Sequence, residues 1–564
     1  MSEETATRKR GSEYLYETLV DVGVKLLVGI PGTQTLPLDR TVAERNDIEY
    51  VMARHETAVP HVAWGYHEAS HQVAATITVP GPGDTNAAHG LKNALDDNVP
   101  ILHISPIPNH DEFGRHPIHE LEHETFDHVV KANITVESPI QFQEQIKWGI
   151  KTALAPPTGP VRIGIPRGML AQPIDSPAAN VSVERINYVA DDALARVVDC
   201  LADAKRPLLY VGGGARRSPD GPDGVAELAS VLDAPVAASY KGKGVFSEDD
   251  DRFLGVTGGD LPAGARTVFE TADVVLALGT NFDGPNTANW SIPMGETLVH
   301  VNLDPAEIGA AYDADIAVVA DVGEACKQLA ENLDSRDVAA GWDGSELATA
   351  VRTEYGECLR AAGLLDEGPP VASPGLLRAV REVIPRETVV TTDIGGHRIW
   401  SKNVFEAYAR EELITAGSWA GMGVGLPSAI GAKLARPDRP VLTLTGDGSL
   451  MMCAQELHTA AEYGLDLVVI LFNDADYGVI SKAMHPEDEG NRHQFKWTSP
   501  DWTAVAEGYG CRARKVRTLS DLREATEWAL ETDGPTLVDV NVDPNEPTAV
   551  DFTSYETEVD PRSF

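Results

Sequence analysis

Short apolar runs that end in Gly, Asp or Pro alternate with longer helical patterns along most of the chain. The run LVVILF, residues 467–472, is apolar at every position, so both of its faces must be buried. Parallel strands joined by crossover helices meet this requirement, because helices then cover both faces of the sheet. Further runs of this kind are AATITV from Ala74, ILHIS from Ile101, LLYV from Leu208, VVLAL from Val274, LVHVN from Leu298, VVTT from Val389 and VLTLTG from Val441. The pattern predicts an α/β protein with doubly wound parallel sheets.

Two stretches interrupt the alternation and divide the 564-residue chain. Residues 171–192 are rich in Pro, Ser, Asn and Asp, and residues 367–375 contain consecutive prolines that a helix cannot accommodate. The expected domains, each of ordinary size, are residues 1–175, 190–340 and 370–550. We therefore predict three doubly wound parallel-sheet domains, followed by an acidic surface tail at residues 550–564.

The charge balance limits the possible partners. Forty-six Lys and Arg stand against 86 Asp and Glu, which gives a net charge of −40. So acidic a surface repels phosphate backbones and anionic membranes, and we expect neither a nucleic-acid nor a membrane partner. The acidity, with 31 Arg against 15 Lys, fits a halophilic protein, because high salt screens long-range self-repulsion.

The cysteines and the N-terminus indicate the compartment. Five cysteines are scattered without any C-x-x-C pair, which favours a reducing environment. No apolar segment follows the basic residues near the N-terminus, and no apolar run is long enough to cross a bilayer. We expect a cytoplasmic protein without a signal peptide or a membrane span.

The strongest chemical signal is a strand that runs into Gly446, Asp447, Gly448 and Ser449, followed by a helical pattern that ends near Gly464. Ser449 is expected to cap this helix, so that main-chain N–H groups and the helix dipole point at the loop. This arrangement favours a diphosphate. The adjacent carboxylate of Asp447 suits a hard divalent cation that bridges to it.

A second polar loop, NDADYG at residues 473–478, follows the next apolar strand. Either loop alone is consistent with an ordinary turn. Together they place Asp447 and Asp474, 27 residues apart, at the carboxyl ends of two strands, where parallel sheets bind ligands. The pair therefore predicts a cation and diphosphate site.

This spacing resembles the motif of thiamine-diphosphate enzymes, in which GDG is followed by a pair of Asn. The resemblance implies that Asp447, Asp474 and the main-chain carbonyl of Asp476 hold Mg²⁺ against the cofactor diphosphate, with Tyr477 and Gly478 alongside. Asp474 departs from the family's Asn; it remains an oxygen ligand but adds a negative charge.

Two upstream segments are similar to segments of acetohydroxyacid synthases. In DIGGHRIWS, residues 393–401, His397 matches the family's diphosphate-binding His, and Gly396 replaces its Gln. The segment GSWAGMGVGLPSAIGAKLA, which contains Gly421 and Met422, resembles the family's GxxGxMGxGLPxAIGA. Met422 falls where the family places an apolar residue that wedges the two cofactor rings into a V; otherwise it is core filler.

The N-terminal block carries the expected catalytic acid. VMARHETAVPHVAWGYHEAS, residues 51–70, resembles the segment that holds the family's activating glutamate, at Glu56 here. Taken alone, a Glu at the start of a helix has a simpler explanation, because its negative charge interacts favourably with the helix dipole. GIPG, PGPGDTN and GPVRIGIPRG also occur in family order, and the resemblance covers residues 15–545. The chain is identified as a member of the thiamine-diphosphate superfamily.

The resemblance implies a function. An acetolactate-synthase-like enzyme would use thiamine diphosphate and Mg²⁺ to cleave or form the C–C bond next to the carbonyl of a 2-oxo acid or related substrate, through an enamine. The alternative is a non-oxidative 2-oxo acid decarboxylase that releases an aldehyde. The N-terminal domain would bind the pyrimidine and the C-terminal domain the diphosphate. Since Glu56 and the diphosphate site come from two subunits in this family, a homodimer or homotetramer is implied.

One motif points to another class of enzyme. His119, Glu120 and His123 lie in HELEH, which on a helix could bind zinc as in a metalloprotease, with Glu144 as a third ligand. Alignment to the synthase family instead places His123 at an active-site Gln. There it could contact the substrate or transfer a proton, because imidazole titrates near neutrality.

The central block departs from true acetohydroxyacid synthases. Their RFDDR segment, near FAD and the acceptor substrate, matches Asn281–Pro285 here, and both arginines are absent. The loss of these carboxylate donors argues against FAD and against acetolactate formation. GGGARR, residues 212–217, is either a plain strand-to-helix turn or a nucleotide contact.

Overall fold

The computed structural model describes residues 8–175, 189–336, 341–484 and 493–564. Within these ranges the chain forms three six-stranded sheets, and every pair of neighbouring strands in them is parallel. Helices flank each sheet, as expected for three doubly wound domains. The predicted fold class is therefore confirmed.

The N-terminal sheet has the strand order β3-β2-β4-β5-β7-β6, and β1 and β8 form a separate antiparallel pair. The strands are β1 (Lys9–Arg10), β2 (Leu26–Gly29), β3 (Glu49–Met52), β4 (Ala74–Ile77), β5 (Ile101–Ser105), β6 (Ala132–Thr135), β7 (Val161–Gly164) and β8 (Pro173–Ile174). The helices are α1 (Gly11–Asp21), α2 (Leu36–Ala43), α3 (Ala58–Ser70), α4 (Pro82–Asp96), α5 (Phe142–Leu154) and α6 (Arg167–Ala171).

The central sheet has the order β11-β10-β9-β12-β13-β14. Its strands are β9 (Pro207–Val211), β10 (Val236–Ala238), β11 (Phe253–Val256), β12 (Val274–Leu278), β13 (Thr297–Asn302) and β14 (Ile316–Val319). The helices of this part of the chain are α7 (Asp191–Asp203), α8 (Gly213–Arg217), α9 (Gly221–Leu232), α10 (Ala263–Thr271), α11 (Val322–Asp334) and α12 (Gly344–Ala361).

The C-terminal sheet has the order β16-β15-β17-β18-β20-β19. Its strands are β15 (Val389–Thr392), β16 (Leu413–Thr415), β17 (Val441–Gly446), β18 (Leu467–Asn473), β19 (Arg512–Val516) and β20 (Thr536–Asn541). Its helices are α13 (Ser373–Val383), α14 (Gly396–Val404), α15 (Gly425–Ala435), α16 (Asp447–Cys453), α17 (Glu456–Glu462), α18 (Gly478–Lys482), α19 (Trp502–Gly508), α20 (Leu519–Leu530) and α21 (Ala549–Phe552).

Helices α3 and α15 pack the N-terminal domain against the C-terminal domain. A Cβ atom on Gly65 would lie 2.2 Å from the carbonyl oxygen of Ser428, and one on Gly431 would lie 2.0 Å from that of Val62. Only glycine permits so close an approach of the two helix backbones. This contact fixes the segment before α3, which holds Glu56, relative to the C-terminal sheet.

The segment that was expected to be an acidic surface tail makes specific contacts with the rest of the chain. The Thr557 hydroxyl and the Glu558 N–H donate to the Glu354 carboxylate of α12, and Phe552 packs against Trp400. The end of the chain thus bridges the central and C-terminal domains. The first expected linker falls largely on residues 176–188, which lie outside the described residues. No helix in the described ranges is both long enough and apolar enough to cross a membrane.

Candidate active site

The two polar loops meet at one edge of the C-terminal sheet. Gly446, the last residue of β17, pairs with Phe472 of β18 in the parallel ladder, so the loops that follow the two strands leave the sheet side by side. The Asp447 carboxylate accepts the N–H of Gly448 and that of Ala475, each at 2.9 Å. The predicted convergence of the loops at this edge is present, and Asp447 itself joins them.

The site concentrates negative charge. Asp447 is buried, and this burial, together with the neighbouring Asp474 carboxylate, raises its pKa to about 7. Burial likewise raises the pKa of Asp474, although a hydrogen bond from the Asp476 N–H and the charge of Lys482 partly oppose the rise. Adjacent carboxylates that are costly to ionise together suit a divalent cation.

The third predicted ligand is the main-chain carbonyl of Asp476. The Asp476 side chain is directed elsewhere, since its carboxylate accepts the Ser481 hydroxyl at 2.5 Å. Among the described residues, no group of three or more His, Cys, Asp or Glu side chains is arranged to hold a metal ion. A cation here would therefore rely on two carboxylates and on oxygens from the main chain, a ligand or water.

His397 lies beside the GDG loop. A Cβ atom on Gly446 would be 3.4 Å from the His397 ring, which stacks on Phe472 at a centroid distance of 5.0 Å. Burial lowers the pKa of His397 to about 3, so the ring is neutral at physiological pH. Its Nε2 is buried and has no hydrogen-bond partner among the described residues. An orphaned buried nitrogen next to a diphosphate-type loop is suited to a ligand oxygen.

Two glycines allow the loops to close on each other. A Cβ atom on Gly448 would approach the Tyr477 ring to 2.8 Å, and one on Gly478 would lie 2.9 Å from Asp474 Oδ2. The Tyr477 ring also contacts Trp497 at a centroid distance of 4.9 Å. Side chains at these glycines would push the acidic loop away from α16.

The structure corrects the expected role of Ser449 in capping. Gly446 occupies the N-cap position of α16, and Ser449 lies within the helix, where its hydroxyl donates to the carbonyl oxygen of Ile394 at 2.8 Å. Ser449 therefore ties α16 to the loop before His397. The helix also breaks after Cys453, and α17 follows it up to the turn at Gly464, whose φ is +58°.

Asp393 is a site residue that the sequence reasoning missed. It is buried at the end of β15, and its two carboxylate oxygens accept the N–H groups of Gly423 and Gly425, each at 2.9 Å. These bonds fix the turn that presents Met422, in which Gly423 has a φ of +87°. The available signal was an acidic residue directly after an apolar strand.

The loop before this turn packs on the N-terminal domain. A Cβ atom on Gly421 would lie 1.9 Å from the His89 ring of α4, and the Trp419 indole N–H donates to His89 Nδ1 at 2.9 Å. The N–H of Gly417 donates to the buried carboxylate of Asp97 at 3.0 Å. Gly421 thus has a packing role that any residue with a side chain would disrupt.

Glu56 lies in the turn before α3. Its carboxylate accepts a hydrogen bond from the Asn86 side-chain amide at 3.0 Å. The segment of residues 51–70 and the PGPGDTN segment, both of which resemble the family, therefore meet here. The N–H groups of Arg54 and His55 donate to the buried carboxylate of Glu456, at 3.1 and 3.0 Å. Asp447 is the first residue of α16, whereas Glu456 is the first residue of α17, beyond the break that ends α16. This chain's Glu56 turn is therefore anchored past the C-terminal end of α16, away from Asp447.

The structure contradicts the zinc-helix interpretation of HELEH. Residues 116–122 form turns and irregular chain, and a short 3₁₀ helix runs over His123–Phe126. His119 Nδ1 faces the Gln34 amide at 3.2 Å, whereas His123 Nδ1 faces the Thr135 hydroxyl at 3.3 Å. Without an α-helix the two rings do not share a face in the way that a zinc protease requires.

We expect the purified protein to contain no stoichiometric zinc, because the two histidines of HELEH have separate partners. Elemental analysis after dialysis without chelator provides the measurement. One zinc per chain that is lost in a His119→Ala variant would restore the metalloprotease interpretation.

The HELEH loop nevertheless lies near the Glu56 region. A Cβ atom on Gly81 would be 3.2 Å from the carbonyl oxygen of His119, and Gly81 immediately precedes α4, which carries Asn86. The His123 ring contacts the Phe113 ring at a centroid distance of 4.6 Å, and the two ring planes are tilted by 38°. This neighbourhood is compatible with a substrate contact by His123.

A cavity of about 370 Å³ opens where the three domains meet. Its lining includes Gly213 and Gly214 of GGGARR, together with Asn281 and Asp283 of the segment that replaces RFDDR. Both Arg216 and Arg217 of the glycine-rich turn bind the buried carboxylate of Glu68, each at 3.0 Å. These arginines thus stabilise a domain junction.

Comparison with known proteins identifies all three domains. Residues 9–127, 194–329 and 393–540 match the N-terminal TPP binding domain, the central domain and the C-terminal TPP binding domain of thiamine pyrophosphate enzymes, respectively. The acetolactate synthase large subunit of Parasynechococcus marenigrum is 30% identical over 94% of this chain and 87% of its own length.

Two further relatives are also described as acetolactate synthase large subunits. The probable acetolactate synthase large subunit of Methanococcus aeolicus is 28% identical over 95% of this chain and 92% of its own length. The acetolactate synthase isozyme 1 large subunit of Escherichia coli is 27% identical over 96% of each chain. The chain therefore belongs to the thiamine pyrophosphate enzymes and is of the acetolactate synthase type.

Proposed function

We propose that the chain is a thiamine-diphosphate- and Mg²⁺-dependent enzyme that cleaves or forms the C–C bond next to the carbonyl of a 2-oxo acid. The observation that carries this proposal is the junction of Asp447 and Asp474 at one sheet edge, beside the unpartnered Nε2 of His397. Two adjacent carboxylates, and a buried nitrogen that has no partner among the described residues, are what a cation with its diphosphate would satisfy.

The residues fit the cofactor as follows. Asp447, Asp474 and the carbonyl of Asp476 would hold Mg²⁺, while His397 and the N–H groups at the start of α16 would bind the diphosphate. Met422, fixed in its turn by Asp393, would support the ring system. Thiamine diphosphate, when bound, supplies the carbon nucleophile that attacks the substrate carbonyl.

Glu56 would exchange a proton with the pyrimidine ring. Its carboxylate is oriented by Asn86, and a fixed orientation lets it hold a proton at one oxygen. Because this chain's Glu56 turn is anchored to Glu456 at the start of α17, past the end of α16, we propose that the partner subunit's Glu56 completes each site in a homodimer or homotetramer. His123 would contact or protonate the substrate.

A second activity, simple decarboxylation with release of an aldehyde, is favoured by Asn281–Pro285. No arginine occurs in this segment to bind the carboxylate of an acceptor 2-oxo acid. The same absence argues against a role for FAD.

The function is tested with a panel of 2-oxo acids, thiamine diphosphate and Mg²⁺, at low and high KCl. We expect consumption of at least one 2-oxo acid, with CO₂ release that stops on removal of Mg²⁺. A hydroxyketone product indicates ligation, and an aldehyde indicates decarboxylation. If every 2-oxo acid stays intact at both salt concentrations, the proposed substrate class is wrong.

A further inference from the structure

A second cavity, of about 470 Å³, lies between the central and C-terminal domains. Its lining includes residues of β11, of α12, of α13 and of the chain just after α14. None of the proposed cofactor or catalytic residues lines it. Three arginines, Arg352, Arg378 and Arg381, converge on this cavity. In a chain with a net charge of −40, such a grouping of cations needs an explanation.

Arg378 is the least satisfied of the three. Its guanidinium makes no hydrogen bond and no ion pair with any described residue, and it is only partly exposed. Burial lowers the pKa of Arg378 from its ordinary value. A guanidinium taken partly out of water without a partner is costly, and an anion would offset this cost.

The other two arginines are held by neutral groups. Arg352 donates to the main-chain carbonyls of Glu248 and Asp251. Within the described part of the chain its Nε is buried without a partner, and the nearest carboxylate oxygen, on the exposed Asp251, is 4.0 Å away. Arg381 donates to the carbonyls of Ile384 and Pro385. Arg381 also lies over the rings of Phe405 and Tyr408, at 5.5 and 5.1 Å from their centroids. These contacts orient both guanidinium groups, and among the described residues neither has a carboxylate oxygen closer than 4.0 Å.

The carboxylates around the cavity are mostly engaged elsewhere. Glu248 is paired with the buried Lys243 at 2.6 Å, and Glu382 is paired with Arg523 at 3.1 Å. Glu406 accepts the Tyr408 hydroxyl at 2.8 Å. The three glutamates of the lining therefore direct their ion pairs and hydrogen bonds to other groups, and among the described residues none of them is in ion-pair contact with the three arginines.

We propose that this cavity binds a small anion with more than one carboxylate or phosphate group. Arg378 would be its main contact, supported by Arg352 and Arg381. The planar guanidinium fork matches the two oxygens of a carboxylate or phosphate, and three such groups around one cavity favour a multiply charged ligand. This site is independent of the proposed function.

The test is isothermal titration calorimetry on the full chain, saturated with thiamine diphosphate and Mg²⁺ so that phosphate groups already fill the cofactor site. Inorganic phosphate and succinate are titrated separately at fixed chloride concentration, which distinguishes a phosphate ligand from a dicarboxylate. We expect one of them to bind at one site per chain, and Arg378→Gln to weaken this binding at least about tenfold.

Two further variants make the outcome decisive. Arg336→Gln, which removes the same charge from an exposed position of the central domain, should leave anion binding unchanged. Arg378→Lys should fall between wild type and Arg378→Gln, because it keeps the charge but loses the fork. The proposal is overturned if neither anion binds, or if Arg378→Gln melts like wild type and binds the anion equally well.

Discussion

Replacing Glu56 with Gln should lower turnover by about 10²–10⁴-fold, the usual contribution of a positioned proton-transfer group. Gln has the same shape and can still contact the Asn86 amide, so thiamine diphosphate should bind with nearly wild-type affinity. The substitution removes only proton transfer, because an amide cannot take up and release a proton as a carboxylate can. Steady-state rates on an accepted 2-oxo acid, with calorimetry of cofactor binding, provide the two measurements.

A matched control is Glu49→Gln on β3. Glu49 is exposed and lies in the same domain, so this variant removes the same charge without touching the turn before α3. It should retain wild-type turnover and cofactor affinity. If Glu56→Gln turned over at a rate comparable to that of Glu49→Gln, the assignment of Glu56 as the proton-transfer group would be refuted.

The parallel strands could be predicted from the sequence because burial on both faces leaves a strong local signal. LVVILF has no polar position, and it forms most of the buried β18. The meeting of Asp447 and Asp474 followed from topology alone, since the carboxyl ends of neighbouring parallel strands share one edge. Local pattern and the rules of sheet topology therefore suffice to locate the proposed cation site.

Partners that are distant in sequence could not be predicted in this way. Asp393 fixes the turn of Met422 about 30 positions later, and Glu456 binds N–H groups some 400 positions earlier; neither contact leaves a periodic signal. HELEH has the residues of a zinc motif, but it does not form the α-helix that would place the two histidines on one face. Short motifs predict chemistry only when their secondary structure is also predicted.

The second large effect is expected from Asp447→Ala, which should abolish Mg²⁺-dependent binding of thiamine diphosphate. Outer-sphere partners of a metal typically contribute 10–100-fold to its affinity, so loss of a direct ligand should exceed about 100-fold. Asp447 also accepts the Ala475 N–H, and its removal loosens the loop that carries Asp474. Calorimetric titration of the cofactor with and without Mg²⁺ measures the effect.

Asp447→Asn separates charge from shape, since it keeps an oxygen acceptor and loses the negative charge; it should bind the cofactor better than Asp447→Ala but more weakly than wild type. Asp438→Ala, at an exposed position of the same domain, should behave as wild type. Cofactor binding by Asp447→Ala that kept its dependence on Mg²⁺ would place the cation elsewhere.

Mixing the two inactive variants tests whether the site is shared between subunits. In a mixed dimer of Glu56→Gln and Asp447→Ala chains, one shared site would combine an intact Glu56 with an intact Asp447. Random reassociation should then restore about a quarter of the wild-type rate, because half of the dimers are mixed and each holds one complete site. A site formed within a single chain recovers nothing on mixing, since each chain lacks one of the two residues.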